Sequence, residues 1–176
     1  AFPKAVIVRP SLVFGQDDTV FNRFGMISRM SPVMPVIHGG SRFQPVYVAD
    51  VAAAFVAAAE GLAKPGKSYE LGGPEVETMR QLMERVLREA HRTKMLLPVP
   101  AGLARIGAWF TQILPNPILT VDQVVQLGHN NIVSDAAVRD KRTFAGLGIT
   151  PTAMDKVLPD YMWRFRKHGQ FEHVEA

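Results

Sequence analysis

The chain has 176 residues, of which 47% are hydrophobic and 20% charged, a globular balance with enough apolar side chain to bury a core. Cysteine is absent, which rules out a disulfide framework and a thiolate metal site. The 20 basic and 16 acidic residues leave a net charge of +4, an excess too mild to mark a nucleic-acid-binding surface and readable as simple solubility.

Ala5 to Val8 is a continuous apolar run with β-branched residues, the pattern of a parallel strand buried on both faces, and Arg9-Pro10 ends it. A strand of that kind so early implies that something precedes it, so the chain reads as the C-terminal piece of a longer protein. Gly15 to Asp18 form a loop in which Asp18 or Thr19 can cap a helix. Val20, Phe21, Phe24, Ile27 and Met30 follow at helical spacing until Pro32 and Pro35 break it. After the turn His38-Gly39-Gly40-Ser41, Phe43 to Val48 reads as a strand, and Asp50 opens an alanine-rich helix to about Leu62. So many small side chains demand a close neighbour.

Pro65-Gly66 is a turn, and Ser68 to Leu71 is a short strand ending at Gly72-Gly73-Pro74. Thr78 caps an amphipathic helix with Met79, Leu82, Val86, Leu87 and Ala90 on one side. From Met95 to Leu119 the only charge is Arg105, and prolines at 98, 100, 115 and 117 interrupt the stretch too often for a membrane span. Within it, residues 101–114 read as an amphipathic helix. Leu103, Ile106, Phe110 and Ile113 form one stripe, and Arg105, Trp109 and Gln112 share another side suited to a partner or a membrane surface. Val121 to Leu127 is helical, residues 144–152 are a turn-rich connector, and Ala153 to Lys167 form a last helix that carries Pro159. The order strand, helix, strand, helix, strand, then helices, indicates an α/β fold with an incomplete sheet.

Motifs that carry chemistry are sparse. There is no nucleophile elbow, no Gly-x-Gly-x-x-Gly turn and no P-loop. The five histidines, 38, 91, 129, 168 and 173, show no metal-ligand spacing, and the pair Asp17-Asp18 is read as helix capping. Basic residues gather in Arg164-Phe165-Arg166-Lys167-His168.

Three segments together resemble one superfamily. Val6-Ile7-Val8-Arg9-Pro10-Ser11-Leu12-Val13-Phe14-Gly15 is similar to the strand and loop that follow the active-site helix of extended short-chain dehydrogenases, the NAD-dependent epimerase/dehydratase type. Gln44-Pro45-Val46-Tyr47-Val48-Ala49-Asp50-Val51-Ala52 resembles their strand-to-helix element, and Leu147-Gly148-Ile149-Thr150-Pro151-Thr152 their C-terminal connector. Within the superfamily, Arg9-Pro10-Ser11-Leu12-Val13-Phe14-Gly15, Phe21-Asn22-Arg23-Phe24 and Ala90-His91-Arg92 bring the chain nearest to the NAD(P)H-binding accessory subunits of respiratory complex I, of the alpha-subcomplex subunit 9 type.

That resemblance implies an architecture: the C-terminal part of a Rossmann-like parallel sheet (residues 1–15 and 43–73) and a smaller α+β domain (16–42 and 74–176). It implies NADP or NAD in the whole protein, with the loop Pro10, Ser11, Leu12, Val13 beside the nicotinamide. Other respiratory subunits or the membrane surface are the implied partners, reached through residues 101–114, with a peripheral place on the cytoplasmic side of the respiratory membrane. Enzymatic members use a Tyr-x-x-x-Lys pair, but the residues four beyond Tyr47, Tyr69 and Tyr161 are Val51, Gly73 and Phe165. Nucleotide-sugar members place an arginine near Gln44 to meet the substrate pyrophosphate, which puts a sugar-nucleotide substrate in doubt. Three readings therefore stand: an accessory subunit without a catalytic role, part of a true reductase or epimerase, or a module that binds an apolar partner through residues 95–119. Self-association through an open sheet edge is expected of the chain alone.

Overall fold

The computed structural model describes residues 2–111 and 120–171. Along the chain the elements are β1 (Ile7–Pro10), β2 (Val13–Phe14), α1 (Val20–Met30), β3 (Val33–Ile37), β4 (Arg42–Phe43), β5 (Val46–Tyr47), α2 (Val48–Ala59), β6 (Ser68–Leu71), β7 (Glu77–Thr78), α3 (Met79–Glu89), β8 (Met95–Val99), α4 (Ala101–Thr111), α5 (Val121–Leu127), α6 (Asp135–Arg139) and α7 (Pro159–Met162). They divide into two compact units. The first holds residues 1–20, 43–76 and 131–161; the second holds 21–42, 77–130 and 162–176. Residues 131–161, which the sequence placed with the smaller domain, belong to the first unit.

The first unit is built on parallel strand pairs, as an α/β fold requires. β1 runs beside β6 with Ile7 opposite Ser68 and Pro10 opposite Leu71, and β2 runs beside β5 with Val13 opposite Val46. Under them lies a core of Val46, Val51, Ala54, Ala57, Tyr69, Leu71, Phe144 and Leu147. The small side chains of α2 let it approach the turn at 144–147 closely, with Ala54 and Ala57 facing inward. Asp50 joins this helix to the connector: its carboxylate accepts from the Thr152 N–H at 2.6 Å and the Thr152 hydroxyl at 3.1 Å.

Two expectations for this unit need correction. β1 is not buried on both faces: Val8 packs against the core and is half-buried, as is Pro10, while Ile7 and Arg9, which point to the other face, are exposed because nothing among the described residues covers it. The expected strand from Phe43 to Val48 is two short strands, since Pro45 has no N–H to give a ladder and α2 already begins at Val48.

The second unit is mostly helical. Thr78 caps α3 as expected, in a reciprocal capping box with Gln81, and Met79, Leu82, Met83, Val86 and Leu87 are buried. Arg85 is buried too, its guanidinium paired with the Glu77 carboxylate. β3 and β8 form a parallel pair in which Pro35 lies opposite Leu97 and Val36 opposite Pro98. The sequence reading places no strand in either segment: Pro32 and Pro35 end the preceding helix there, and Pro98 and Pro100 interrupt the low-charge stretch. Proline is tolerated where its missing N–H points away from the neighbouring strand.

α4 is helical as expected but turned differently. Its buried residues are Ala104 and Ala108, packed with Val124 of α5 and with Ile37 and Val99. Leu103, Ile106 and Trp109 are 64%, 58% and 61% exposed. Gln112 and Ile113 of the two predicted stripes lie outside the described residues, as does the side chain of Phe110.

The last predicted helix is three short pieces: a 3-10 turn at Met154–Lys156, α7, and a 3-10 turn at Trp163–Phe165. Pro159 can open a helix but not continue one, so α7 starts there. The basic run near the end is in part structural. Arg166 Nε donates to the Glu89 carbonyl at 3.0 Å, and the Phe165 carbonyl accepts from Arg92 Nε at 2.7 Å.

The open edge of β1, with Ile7 49% exposed, is a template for pairing. The isolated chain is therefore expected to associate with itself as its concentration rises, which sedimentation velocity measures; a single monomeric species throughout would count against it.

Candidate functional site

Parallel strands place ligands at their C-terminal ends, where side chains and loop backbone can converge without blocking the ladder. The segment Pro10 to Val13 leaves β1 at that end, and all four of its residues are half-buried. It is held on both sides. Ser11 N–H donates to the Leu71 carbonyl at 2.8 Å, and the Leu12 carbonyl accepts from Val46 N–H at 2.9 Å. A cavity of about 290 Å³ opens beside it, lined by Pro10, Ser11, Glu70, Asn131, Val133 and Ser134 among others.

The polar groups around this cavity are largely committed to one another. Ser11 Oγ donates to the Asn131 carbonyl at 2.5 Å and accepts from Gln44 N–H at 3.2 Å. The Glu70 carboxylate accepts from Ser134 N–H at 2.8 Å. Pro10 and Val133 give the cavity part of its lining, while the Ser11 hydroxyl serves the protein's own backbone.

Gln44 stands at the centre of a second arrangement. Its Nε2 donates to the Gly73 carbonyl at 2.8 Å, and its Oε1 accepts from Val133 N–H at 3.0 Å. The two glycines of the Gly72-Gly73 turn are there for space. A Cβ on Gly72 would sit 2.4 Å from Gln44 Cδ, and one on Gly73 would sit 1.9 Å from the Pro45 carbonyl oxygen. Gln44, Gly72 and Gly73 also border a larger open cavity of about 700 Å³, whose far side is the connector from Gly148 to Pro151. A glutamine here ties the unit together and brings no cationic charge to the cavity.

Tyr69 is buried and its hydroxyl accepts from the backbone N–H of Lys64 at 2.9 Å. The Tyr161 hydroxyl donates to the Asp18 carboxylate at 2.7 Å, and Tyr47 rests against the Phe14 ring at 5.7 Å between centroids. Asp18, read as a helix cap, is therefore also a tie to α7. Among the described residues no group of three histidine or acidic side chains could hold a metal ion. Asn131, Glu70 and Ser134 were not singled out from sequence, because backbone carbonyls and amides do most of the work and they leave no residue-type signal.

No protein-family model matches the chain. It is 34% identical over 180 residues to the mitochondrial NADH dehydrogenase (ubiquinone) 1 alpha subcomplex subunit 9 of Arabidopsis thaliana, across 96% of this chain and 44% of that protein. The subunit of the same name from Mus musculus is 30% identical over 170 residues, again 44% of its length. The mitochondrial NADH-ubiquinone oxidoreductase 40 kDa subunit of Neurospora crassa is 24% identical over 97% of this chain. The chain therefore spans less than half of each of these relatives.

Among solved structures, a human epimerase family protein with NADPH superposes with a TM-score of 0.66 at 13% identity, over 90% of this chain and 48% of that one. The UDP-glucose 4-epimerase of Thermotoga maritima, with UDP-glucose, gives 0.62 at 18% identity over 94% and 47%. The fold is thus that of epimerase/dehydratase-type short-chain dehydrogenases, as the three sequence segments implied.

The Gln44 arrangement can be tested by a double-mutant cycle. Gln44→Ala strands the Gly73 carbonyl and the Val133 amide and should cost about 1–3 kcal/mol in urea unfolding. Gly72→Ala should also destabilise, by pushing Gln44 aside. In the double variant that clash is gone, so its loss should be smaller than the two single losses added together; strict additivity would show that the glycine and the amide do not act as one device.

Proposed function

We propose that this chain, homologous over 96% of its length to part of the complex I alpha-subcomplex subunit 9 proteins, is a non-catalytic portion of an NAD(P)H-binding accessory subunit of respiratory NADH:ubiquinone oxidoreductase. The observation that carries the reading is the alignment across nearly the whole chain, through both units, to subunits of that name from plant and mouse, with the 40 kDa fungal subunit beside them. One feature of the chain supports a role in structure or regulation. Gln44 spends its amide on Gly73 and Val133, where a sugar-nucleotide enzyme would present an arginine.

In this reading the two units divide the work. The first contributes the wall Pro10, Ser11, Leu12 and Val13 to the dinucleotide site, and the pyrophosphate is held elsewhere in the whole protein. Backbone amides at a helix N-terminus do most of that anion binding. The second unit contributes contact with the respiratory assembly at the membrane surface. Its α4 turns Leu103, Ile106 and Trp109 outward, and an exposed apolar face of that kind marks a docking side. No helix among the described residues is long and apolar enough to cross a membrane, which fits attachment at the surface.

Two measurements follow. Titration calorimetry of NADPH into the 176-residue chain should give no binding in the micromolar range, because one wall does not hold a dinucleotide; micromolar affinity would place the principal site within this chain. Trp109→Ala should change thermal stability little, within about 0.5 kcal/mol for an exposed position, yet weaken co-sedimentation with membranes from the source organism. A large loss of stability with unchanged co-sedimentation would make Trp109 a packing residue and remove the docking role.

A further inference from the structure

At the opposite end of the β1–β6 pair, where the strands begin, lies an open cavity of about 540 Å³. Among the described residues the six that line it are all charged: Lys64, Lys67, Arg139, Asp140, Lys141 and Arg142. Five cations and one carboxylate make a local charge of +4, equal to the formal net charge of the whole chain. The charge excess that composition presents as a diffuse solubility charge is thus matched by this one place.

The single carboxylate is already taken. Arg142 Nε and Nη2 hold Asp140 Oδ2 at 3.1 and 3.0 Å, while Nη1 donates to the Ser68 carbonyl at 2.7 Å. Among the described residues no ion pair involves Lys64, Lys67, Arg139 or Lys141. The two segments that carry them are both held in place. Lys64 N–H is fixed to the buried Tyr69 hydroxyl. Lys141 has a left-handed backbone, φ 54°, and its carbonyl lies so near Gly146 that a Cβ there would meet it at 1.7 Å.

Arg139 and Lys141 have an ordinary use, offsetting the dipole at the C-terminal end of α6. That helix has only five residues, and Lys64 and Lys67 reach the same cavity from a distant segment. Unpaired like charges repel one another and oppose the compact state. Their convergence in a recess is therefore explained by an anion that neutralises them.

We infer that this cavity binds a soluble compound through a phosphate group, or linked phosphates, bearing two or more negative charges. Lysine ammoniums and an arginine fork supply the charge-assisted donors that such oxygens accept. Among the described residues no aromatic side chain lines the cavity to stack a base, which disfavours single-stranded nucleic acid. Among them no apolar side chain lines it either, and a membrane-surface site needs one to enter the acyl boundary. The cavity is also separate from the Pro10–Val13 wall, since the four-residue strands put about 10 Å between their two ends. The inference does not depend on the function proposed above.

Titration calorimetry with sodium pyrophosphate at constant ionic strength tests it on the 176-residue chain. Saturable one-site binding is expected, weakened about tenfold or more in the Lys64→Gln, Lys67→Gln, Arg139→Gln triple variant. A control with the same change in net charge, Arg29→Gln, Lys156→Gln, Lys167→Gln, should bind as the unmodified chain does. Circular dichroism melts check that both variants are folded. Should the first melt early, Arg139→Gln alone, at an exposed residue, must still weaken binding. Absence of binding, equal weakening in both triple variants, unchanged affinity in Arg139→Gln, or flotation with phosphatidic-acid vesicles without any response to pyrophosphate would each overturn the proposal.

Discussion

The first unit depends on a side-chain amide that does the job of backbone. Gln44 lies between two short strands, where Pro45 interrupts any ladder, and its carboxamide joins the turn after β6 to the backbone at Val133. Its own backbone N–H is shared between the Asn131 carbonyl and Ser11 Oγ. Four segments that are far apart in the chain therefore meet at one residue. Each bond is worth about 1 kcal/mol net, but a stranded partner in a half-buried place costs more than that. Geometry rather than energy is the larger consequence: the loop leaving β1, the Gly72-Gly73 turn and the segment at 131–133 are held in one arrangement.

That arrangement sets what the site can do. Ser11 and Glu70, which line the cavity beside Pro10, are occupied by backbone partners. The same economy holds elsewhere in the unit, where Asp50 is spent on Thr152 and Tyr161 on Asp18. Polar residues that look chemically promising in sequence here serve to fix chain segments. The exception is the cationic cavity, where four cations that form no ion pair among the described residues line an opening.

Much of the secondary structure was legible because local chemistry decides it. The strand Ser68–Leu71 and the helix Val121–Leu127 lie where turn residues and apolar spacing put them, and Thr78 caps α3 through its own side chain. The strands at 33–37 and 95–99 were not legible. Their prolines are the usual mark of a break, and only the partner strand determines which N–H groups may be missing. The wall Pro10–Val13 was recognisable by its likeness to known strand-loop segments, whereas Asn131 joins it through its backbone carbonyl, and Glu70 through a carboxylate whose partner is the Ser134 backbone amide. The cationic cavity was invisible for a related reason: Lys64 and Lys67 look like ordinary surface charges until the turn at 139–142 is brought beside them.

α4 separates the two kinds of information. Its sequence determined a helix with an apolar repeat and almost no charge, because spacing and capping are local properties. It did not determine which side faces inward. Leu103 and Ile106 repeat at the spacing of a buried stripe, and so do Ala104 and Ala108; the buried pair is the small one, because the helix packs closely against Val124 and a large side chain would hold it away. Periodicity establishes that a helix has faces, and the neighbour's distance chooses among them. In the same way the composition alone determined a net charge of +4, but only the packing of distant segments gathered an equal charge into one recess.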